Sequence, residues 1–243
     1  MRIPVYFIGT SGWHYEHWRG LFYPEGLAKR KWLDFYAQHF KTVELNNSFY
    51  RLPSEQAFVG WRESAPGDFL FAVKVSRFIT HIKRLRNAEE PLHTFLSHAT
   101  FLQHKLGPLL YQLPPGMKRN EHVLEAFLAI LPQGYQHTFE FRDESWIDSK
   151  IFDILGRYNV GLCVFDMPGF TCPAIATADF AYFRFHGSRG LYWSCYSDEE
   201  LYAWAAKIRE IGKDLKAVYI YFNNDAEAYA VRNAMTLARL LGL

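Results

Sequence analysis

Two short segments of the sequence alternate phenylalanine with polar or charged residues. Residues 138–142 read Thr-Phe-Glu-Phe-Arg, and residues 182–186 read Tyr-Phe-Arg-Phe-His. Because successive side chains of a β-strand point to opposite faces, each segment is expected to present two phenylalanines on one face and its charged groups on the other. A carboxylate, two guanidinium groups and an imidazole brought together in this way are suited to binding an anion and transferring protons.

The same alternation separates polar from apolar residues in other segments of strand length. Val43 and Leu45 leave Glu44 and Asn46 on the opposite face, and Lys74 falls on the polar face of a later segment. In an α/β barrel the helix-facing side must be apolar, so the polar face is expected to point inward near the carboxyl ends of the strands. The complete inward set is Glu44, Asn46, Lys74, Gln112, Glu140, Arg142, Asp166, Arg184, His186 and Asn223.

These residue types indicate a division of roles. We expect the two arginines to clamp an anion, Glu140 or Glu44 to act as a base, and His186 to transfer protons near neutral pH. Lys74 is expected to polarise a carbonyl group or, where cationic neighbours lower its pKa, to form a Schiff base. The other inward residues are assigned to substrate binding: Asn46, Gln112, Arg142, Asp166, Arg184 and Asn223.

The same ionisable groups allow a second interpretation. Buried charges are tolerated only when they are paired, so three acids, three bases and a histidine could form an ion-pair plug that closes the barrel and binds nothing. Apolar layers would close a barrel at a lower desolvation cost, and for this reason we favour a polar ligand.

Loops that follow the strands add further candidates. Gly187 and Arg189 come directly after the segment that ends at His186, and their backbone amides are candidates for holding phosphate, although a tight turn explains the glycine equally well. We expect Trp13 and His81 to line the mouth of the barrel, the opening at the carboxyl ends of the strands, because each follows a strand at that end. All four are assigned to substrate binding.

The sequence gives little support for a metal site. His14 and His17 have a spacing that two metal ligands can share, but no further ligand accompanies them. The inward acids and His186 are donors that a divalent ion takes, whereas the three inward cations would repel it. We expect neither an obligatory metal nor a cofactor.

A basic stretch, residues 83–86, follows the third apolar segment. Together with Trp13 and Trp18 it could guide a nucleic-acid strand, but solvated helix ends explain it more simply. The chain carries 27 basic and 25 acidic residues, a net charge of +2, and so has no general attraction for a polyanion. A small anionic or phosphorylated ligand is the expected partner, and nucleic acid is the alternative.

Eight apolar segments of strand length alternate with amphipathic helical patterns. The apolar segments are 5–9, 42–46, 69–76, 109–113, 136–142, 161–166, 181–186 and 217–223. Helical patterns cover 30–40, 54–64, 91–106, 120–131, 149–158, 198–211 and 226–241. The sixth begins with a capping box at 197–200. No helix is predicted over 167–180. This order predicts one α/β domain over residues 1–243, a single (β/α)8 TIM-barrel-like fold. The alternative is an open doubly wound sheet, which loses its main support because no Gly-x-Gly-x-x-Gly motif follows the first strand.

The composition is that of an ordinary globular protein. Of 243 residues, 49% are hydrophobic and 21% are charged, which argues against disorder and coiled coil. The three cysteines show no paired spacing, and no apolar run is long enough to cross a membrane. We therefore expect a cytoplasmic protein without membrane association, whose oligomeric state the sequence does not indicate.

Motifs at the strand ends, taken together, resemble a known family. They lie at 9–15, 43–50, 71–74, 112–115, 140–142, 184–187 and 221–224. From about residue 6 to its end, the chain resembles the YecE-like family, also called domain of unknown function 72. The resemblance implies a TIM-barrel-like fold and no established reaction. That barrel has been compared with those of endonuclease IV and xylose isomerase. This sequence lacks their histidine-rich metal ligands at the strand ends, where it offers mainly His186, and this argues against a two- or three-metal phosphodiesterase mechanism.

These observations favour an enzyme. The preferred prediction is a metal-independent hydrolase or lyase that applies acid/base chemistry to a small anionic or phosphorylated substrate. A nucleotide- or nucleic-acid-processing enzyme of the endonuclease IV type and a non-catalytic ligand-binding protein are the alternatives.

Overall fold

The apolar segments form the strands of a nearly closed barrel in the computed structural model, which describes residues 3–243. The strands are β1 (Val5–Thr10), β2 (Thr42–Leu45), β3 (Leu70–Lys74), β4 (Leu106–Gln112), β5 (His137–Glu140), β6 (Gly161–Met167), β7 (Phe170–Thr171), β8 (Phe180–Phe185) and β9 (Ala217–Phe222). Eight of them run parallel in the order β1-β9-β8-β6-β5-β4-β3-β2, and the short β7 pairs antiparallel with β6. The predicted TIM-barrel-like fold is confirmed.

Helices cover the outside of the barrel between the strands. They are α1 (Trp32–Tyr36), α2 (Asn47–Tyr50), α3 (Glu55–Ser64), α4 (Glu89–Ala99), α5 (Glu121–Ala129), α6 (Ser149–Arg157), α7 (Asp198–Gly212) and α8 (Tyr229–Leu241). The predicted capping box starts α7: the Ser197 hydroxyl accepts from the amide of Glu200, whose carboxylate accepts from the amide of Ser197. Between β6 and β8 there is no helix, as the sequence predicts, and the chain instead forms a hairpin of β6 with β7 that the sequence analysis did not predict.

The barrel closes between β1 and β2, the two ends of the hydrogen-bonded strand order. The two strands share a single bridge, Ser11 to Glu44, and are otherwise joined by side chains. The hydroxyl of Tyr36 accepts from the amide of Thr10 at 2.9 Å and donates to the carbonyl of Thr42 at 3.1 Å. A Cβ atom on Gly9 would lie 2.2 Å from that same carbonyl, so only glycine allows the strands to approach here.

Side-chain alternation sorts the core into two regions. Phe139 of β5 and Phe183 and Phe185 of β8 join the core between the strands and the helices, whereas Phe180 at the start of β8 lies inside the barrel. Inside the barrel, Tyr182, Tyr219 and Tyr221 form an aromatic layer with Leu110 and Cys163. This layer closes the barrel beneath the charged residues and supports them from below. None of the helices in the described residues is long and apolar enough to cross a membrane.

Candidate functional site

Four inward residues form a continuous chain of ion pairs at the carboxyl end of the barrel. Arg142 Nε donates to Glu140 Oε1, and Arg184 Nη1 donates to Glu140 Oε2 at 2.6 Å. Arg184 Nη2 donates to Glu44 Oε1 at 2.8 Å. The clustering of Glu140 with both arginines, predicted from strand alternation, is therefore confirmed.

The two carboxylates of this chain are fully buried and held in the ionised form. Burial by itself raises the pKa of each, but the arginines and other donors outweigh it: the pKa of Glu44 lies below its usual value and that of Glu140 well below. Glu44 also accepts from Ser11 Oγ and, at 2.6 Å, from the hydroxyl of Tyr182. With these partners in place, neither carboxylate is free to take a proton from a ligand.

Arg184 anchors this chain from within the barrel. Its side chain is 1% exposed, and both terminal nitrogens bind carboxylates. It cannot clamp an anion unless an ion pair first breaks, so the anion-binding role expected for it does not fit this arrangement. Arg142, 8% exposed, lies at the outer end of the chain.

His186 is fully buried between Arg142 and Asn223. Arg142 Nη2 lies 2.9 Å from its Nε2, and the Asn223 amide lies 3.1 Å from its Nδ1. A guanidinium group can only donate, so Nε2 accepts and the proton of the neutral ring sits on Nδ1, which lies 3.1 Å from Asn223 Nδ2. Rotating the Asn223 amide by 180° presents its oxygen to that proton. Burial, and then the charge of Arg184, lower the pKa of His186 to about 4. Contrary to the expectation from sequence, the ring is neutral near pH 7 and is not poised to transfer protons there.

Lys74 is an inward cation that takes no part in the ion-pair chain. Among residues 3–243 its ammonium group makes no hydrogen bond or ion pair, and it lies 4.2 Å from the centre of the Phe49 ring. Burial, and then Arg184, lower the pKa of Lys74 to about 8, while Glu140 and Glu44 act in the opposite direction. Because two carboxylates offset two guanidinium groups, the mouth carries one net positive charge when Lys74 is protonated.

His81 adjoins Lys74 on the loop that follows β3. Its ring meets the Phe49 ring edge-on at 4.9 Å, and burial, and then the charge of Lys74, lower the pKa of His81 to about 4. The loop begins with a π-helical turn, Phe78–Ile82. Arg84 and Leu85, with φ of 49° and 67°, then follow in the left-handed region. Such turns and strained residues are concentrated at functional sites.

A cleft beside the ion-pair chain holds Trp13, as the sequence predicts for this mouth. The cavity measures about 500 Å³. Its lining consists of Gly12, Trp13, His14, Tyr15, Glu44, Leu45, Asn46, Asn47 and Trp61. Trp13 and Trp61 stand edge to face with ring centres 6.0 Å apart. Asn46 joins the cleft to the ion-pair chain by donating to Ser11 Oγ at 2.5 Å.

Gln112 and Asn223 also lie where alternation predicts them. Gln112 ends β4 directly opposite Glu140 in the strand register, and its side chain is partly exposed. Asn223 follows β9 and contacts the ring of His186. Both therefore adjoin the charged cluster.

Asp166 does not face the barrel interior, and its predicted placement is wrong. Cys163, three residues earlier in β6, lies inside the barrel with its Sγ 3.7 Å from Glu140 Oε2. Because side chains alternate along the strand, Val164 and Asp166 both point to the outer face. Burial raises the pKa of Asp166, and Glu200 and Lys207 of α7 act on it from outside the barrel. The polar character of the residue suggested an inward position that the register of β6 does not allow.

The loop after β8 does not offer the predicted phosphate cradle. The amides of Arg189 and Gly190 each donate to Ser194 Oγ at 3.1 Å, and the amide of Gly187 donates to the Tyr196 hydroxyl at 3.0 Å. Gly187 has φ of 103°, and a Cβ there would lie 2.3 Å from the carbonyl of Gly190. These glycines therefore make a tight turn whose donors are already used.

The indole of Trp18 is likewise not available for stacking on a base. It is fully buried, and its Nε1 donates to the carbonyl of Asp225 at 2.8 Å. Across the described ranges of the chain, no three histidine, cysteine or acidic side chains are grouped so as to hold a metal ion.

Several residues of the site escape the sequence analysis. Ser11 and Tyr182 fall on the inward faces of their strands, so the alternation rule could have found them. Phe49 and Trp61 lie on helices α2 and α3, and only the packing of those helices against the mouth brings them there.

Comparison with known proteins places this barrel in a family. A family model described as "Protein of unknown function DUF72" matches residues 7–243. The chain belongs to the DUF72 family. It is 26% identical to UPF0759 protein YunF of Bacillus subtilis, in a match that covers 98% of this chain and 95% of that protein. It is 31% identical over 137 residues to UPF0759 protein YecE of Escherichia coli K12, and that match spans 56% of this chain and 48%, about half, of that protein.

Solved structures of DUF72 proteins share the fold. A DUF72 protein from Thermotoga maritima superposes with a TM-score of 0.90 at 31% identity, covering 98% of this chain and all of that one. One from Enterococcus faecalis superposes with a TM-score of 0.85 at 20% identity, covering 98% of this chain and 96% of that one. The resemblance to the YecE-like family is thus confirmed, and the names of these relatives state no reaction.

Proposed function

We propose that this DUF72 protein is a metal-independent enzyme, a hydrolase or lyase, that applies acid/base chemistry to a small anionic substrate at Lys74. The observation that carries the proposal is the unpaired ammonium group of Lys74 in a mouth whose other charges offset one another. An unpaired buried charge is costly, and structures retain such a group where a ligand completes its environment.

The pKa of about 8 suits Lys74 to both tasks. As ammonium it attracts the anionic group of the substrate, and as the amine present in part near neutral pH it removes a substrate proton and later returns it. Arg142 adds positive charge at the outer end of the ion-pair chain. Phosphate, as one such anionic group, would therefore bind between Lys74 and Arg142 rather than on the loop after β8.

Phosphate binding measured by calorimetry tests the anion site. The wild type should bind inorganic phosphate at pH 7.5, and its affinity should fall about 20-fold by pH 9.5, because most Lys74 loses its proton with a pKa of about 8. Lys74→Arg keeps its charge throughout this range and should retain binding at pH 9.5. Lys74→Met should not bind at either pH. Equal affinity in Lys74→Met and wild type would overturn the site.

Turnover is tested separately from binding. Small phosphorylated and carboxylated compounds are incubated with wild type and with Lys74→Met, and their conversion is followed by NMR. A compound converted by the wild type alone supports the enzyme. Phosphate binding at Lys74 with no conversion of any compound would favour the non-catalytic binding protein instead.

A further inference from the structure

Two neighbouring loops at the mouth expose apolar and basic side chains on one surface. Tyr50, at the end of α2, is 73% exposed, and Phe78 and Ile82, in the loop after β3, are 43% and 62% exposed. The two loops are in contact, because the Phe49 ring meets the His81 ring edge-on at 4.9 Å. We call this surface the β3 ridge. Besides its three exposed apolar residues it carries five cations: Arg51, Arg77, Lys83, Arg84 and Arg86.

Buried neighbours hold the apolar side chains of the ridge outward. Phe78 and Ile82 stand at the two ends of the π-helical turn, whereas Ile79 and Thr80 between them and Leu85 beyond them are buried. The buried residues fix the turn on the barrel, so Phe78 and Ile82 remain in contact with water. Large apolar groups exposed together in this way mark a site of interaction.

The cations of the ridge have no acidic partners. Within residues 3–243, none of the five forms an ion pair. Lys83 instead lies with its Nζ 5.6 Å from the centre of the Phe78 ring. Along the chain no acid occurs between Asp68 and Glu89, and the cations remain in excess when Glu89 and Glu90 of α4 are counted. The ridge is therefore suited to an extended anionic surface.

We infer that the β3 ridge docks on an anionic lipid bilayer, where Tyr50, Phe78 and Ile82 enter the headgroup region and the five cations contact lipid phosphates. Exposed apolar groups flanked by lysine and arginine bind proteins to such surfaces, because apolar burial and charge attraction add. Ile82 argues against single-stranded nucleic acid, whose bases stack on aromatic rings, since an aliphatic side chain offers no such platform.

Docking in this way would bring the mouth to the membrane surface. Phe49 connects the ridge to Lys74, whose ammonium group lies 4.2 Å from the centre of that ring. The inference goes beyond the proposed function and does not depend on the reactivity of Lys74. It departs from the expectation, drawn from the sequence, of a protein without membrane association, because surface docking needs only exposed side chains and not a helix that crosses the bilayer.

Co-sedimentation with vesicles tests the inference. The probes are vesicles of phosphatidylcholine alone and vesicles in which about one-third of the lipid is phosphatidylglycerol. The wild type should bind the anionic vesicles about tenfold or more tightly than the neutral ones, and this preference should be largely lost at about 0.5 M salt, which screens the charges. Equal binding to both vesicles, or binding to neither, would overturn the inference. Binding of a single-stranded oligonucleotide or of polyglutamate in place of vesicles would overturn it as well.

One pair of variants tests the apolar contact. Ile82→Ser keeps every charge of the ridge and should weaken binding to the anionic vesicles about tenfold, because one buried aliphatic side chain is lost. Ile175→Ser is the matched control, since Ile175 is 39% exposed and lies beside α6, outside the ridge, and it should leave binding unchanged. Equal vesicle affinity of the two variants would overturn the apolar contact.

A second pair tests the charges. Arg84→Gln combined with Arg86→Gln should weaken binding about 25-fold, because each cation near an anionic bilayer contributes about fivefold. Lys41→Gln combined with Lys213→Gln removes the same charge at the opposite end of the barrel and should have little effect. An equal loss in both double variants would show that net charge, and not the ridge, attracts the vesicles. Circular dichroism shows whether the variants are folded, and phosphate binding, measured separately, decides the proposed function alone.

Discussion

The ammonium group of Lys74 lowers the stability of the folded protein. In the folded protein its pKa is about 8, against an ordinary value of 10.5. Below pH 8 the ammonium is present in both states, and the folded state bears the desolvation cost. We therefore expect Lys74→Met to stabilise the protein at pH 7, by up to about 3 kcal/mol for a shift of this size.

The pH dependence of this effect follows from the direction of the shift. Between pH 8 and 10.5 the unfolded chain holds a proton that the folded protein has released, so the stability of the wild type rises with pH and the advantage of Lys74→Met shrinks. Urea unfolding of wild type and Lys74→Met at pH 7 and pH 10 measures the stabilisation and its decrease with pH. Lys41→Met, at a lysine whose side chain is 75% exposed, is the control and should change little. A Lys74→Met protein less stable than wild type at pH 7 would contradict the prediction.

Removing a member of the ion-pair chain should destabilise the folded protein, whereas removing the charge of Lys74 should stabilise it. Arg142→Ala leaves Glu140 buried with Arg184 as its remaining cation, and we expect it to cost about 3 kcal/mol, the lower end for a broken buried pair. Chemical denaturation measures the loss. Arg157→Ala removes an exposed pair with Glu125 and should be close to neutral. An Arg142→Ala protein as stable as Arg157→Ala would show that the chain contributes little to the fold.

At the scale of elements, the seam between β1 and β2 requires a glycine at position 9. Gly9→Ala would place Cβ 2.2 Å from the carbonyl of Thr42, a backbone atom that cannot move without opening the seam. We expect a loss of about 3 kcal/mol or more, with earlier hydrogen exchange in β1 and β2. Gly60→Ala is the matched control, because Gly60 lies exposed within α3 with nothing within 4 Å of its added Cβ, and it should be neutral or stabilising. Equal stability of the two variants would show that the seam adapts.

For the whole molecule, buried histidines determine the response to acid. The pKa of His81, His137 and His186 is about 4 in each case, chiefly because burial disfavours the imidazolium. Between about pH 6.5 and 4 the unfolded chain binds protons that the folded protein does not, so stability falls as pH falls through this range. At the acid end of this range the lowered pKa of Glu44 and Glu140 acts in the same sense, and the raised pKa of Asp166 and Asp225 acts in the opposite sense.

Unfolding free energies measured from pH 7 to pH 5.5, above the range in which the carboxyl groups titrate, test this expectation. His137→Gln should reduce the slope by about a third, since it removes one of three such groups. His137 begins β5 at the end of the barrel away from the mouth, so phosphate binding should be unaffected. An unchanged slope in His137→Gln would assign the acid response to other groups.

The predictable part of this protein follows from local periodicity. A period of two in the strands and the longer helical repeat between them are set by backbone geometry. They suffice for the eight parallel strands, for the helices other than α2, and for the inward placement of Glu140, Arg142, Arg184 and His186. Alternation also places Asp166 correctly, on the outer face with Val164, and it is the polarity of its side chain that wrongly predicts an inward position. The register of β6 is set instead by Cys163 and Val164, which pack on opposite faces.

The sequence by itself determined a TIM-barrel-like fold with a charged carboxyl-terminal mouth, because alternation and amphipathicity act over a few neighbouring residues. Only the tertiary structure decided which charges cancel, because pairing and burial depend on distances between different strands. Lys74 is left over since Glu44 and Glu140 are both taken by arginines, and His186 is neutral since its surroundings desolvate it. Trp61 reaches the cleft only through the packing of α3, a contact that no local pattern encodes.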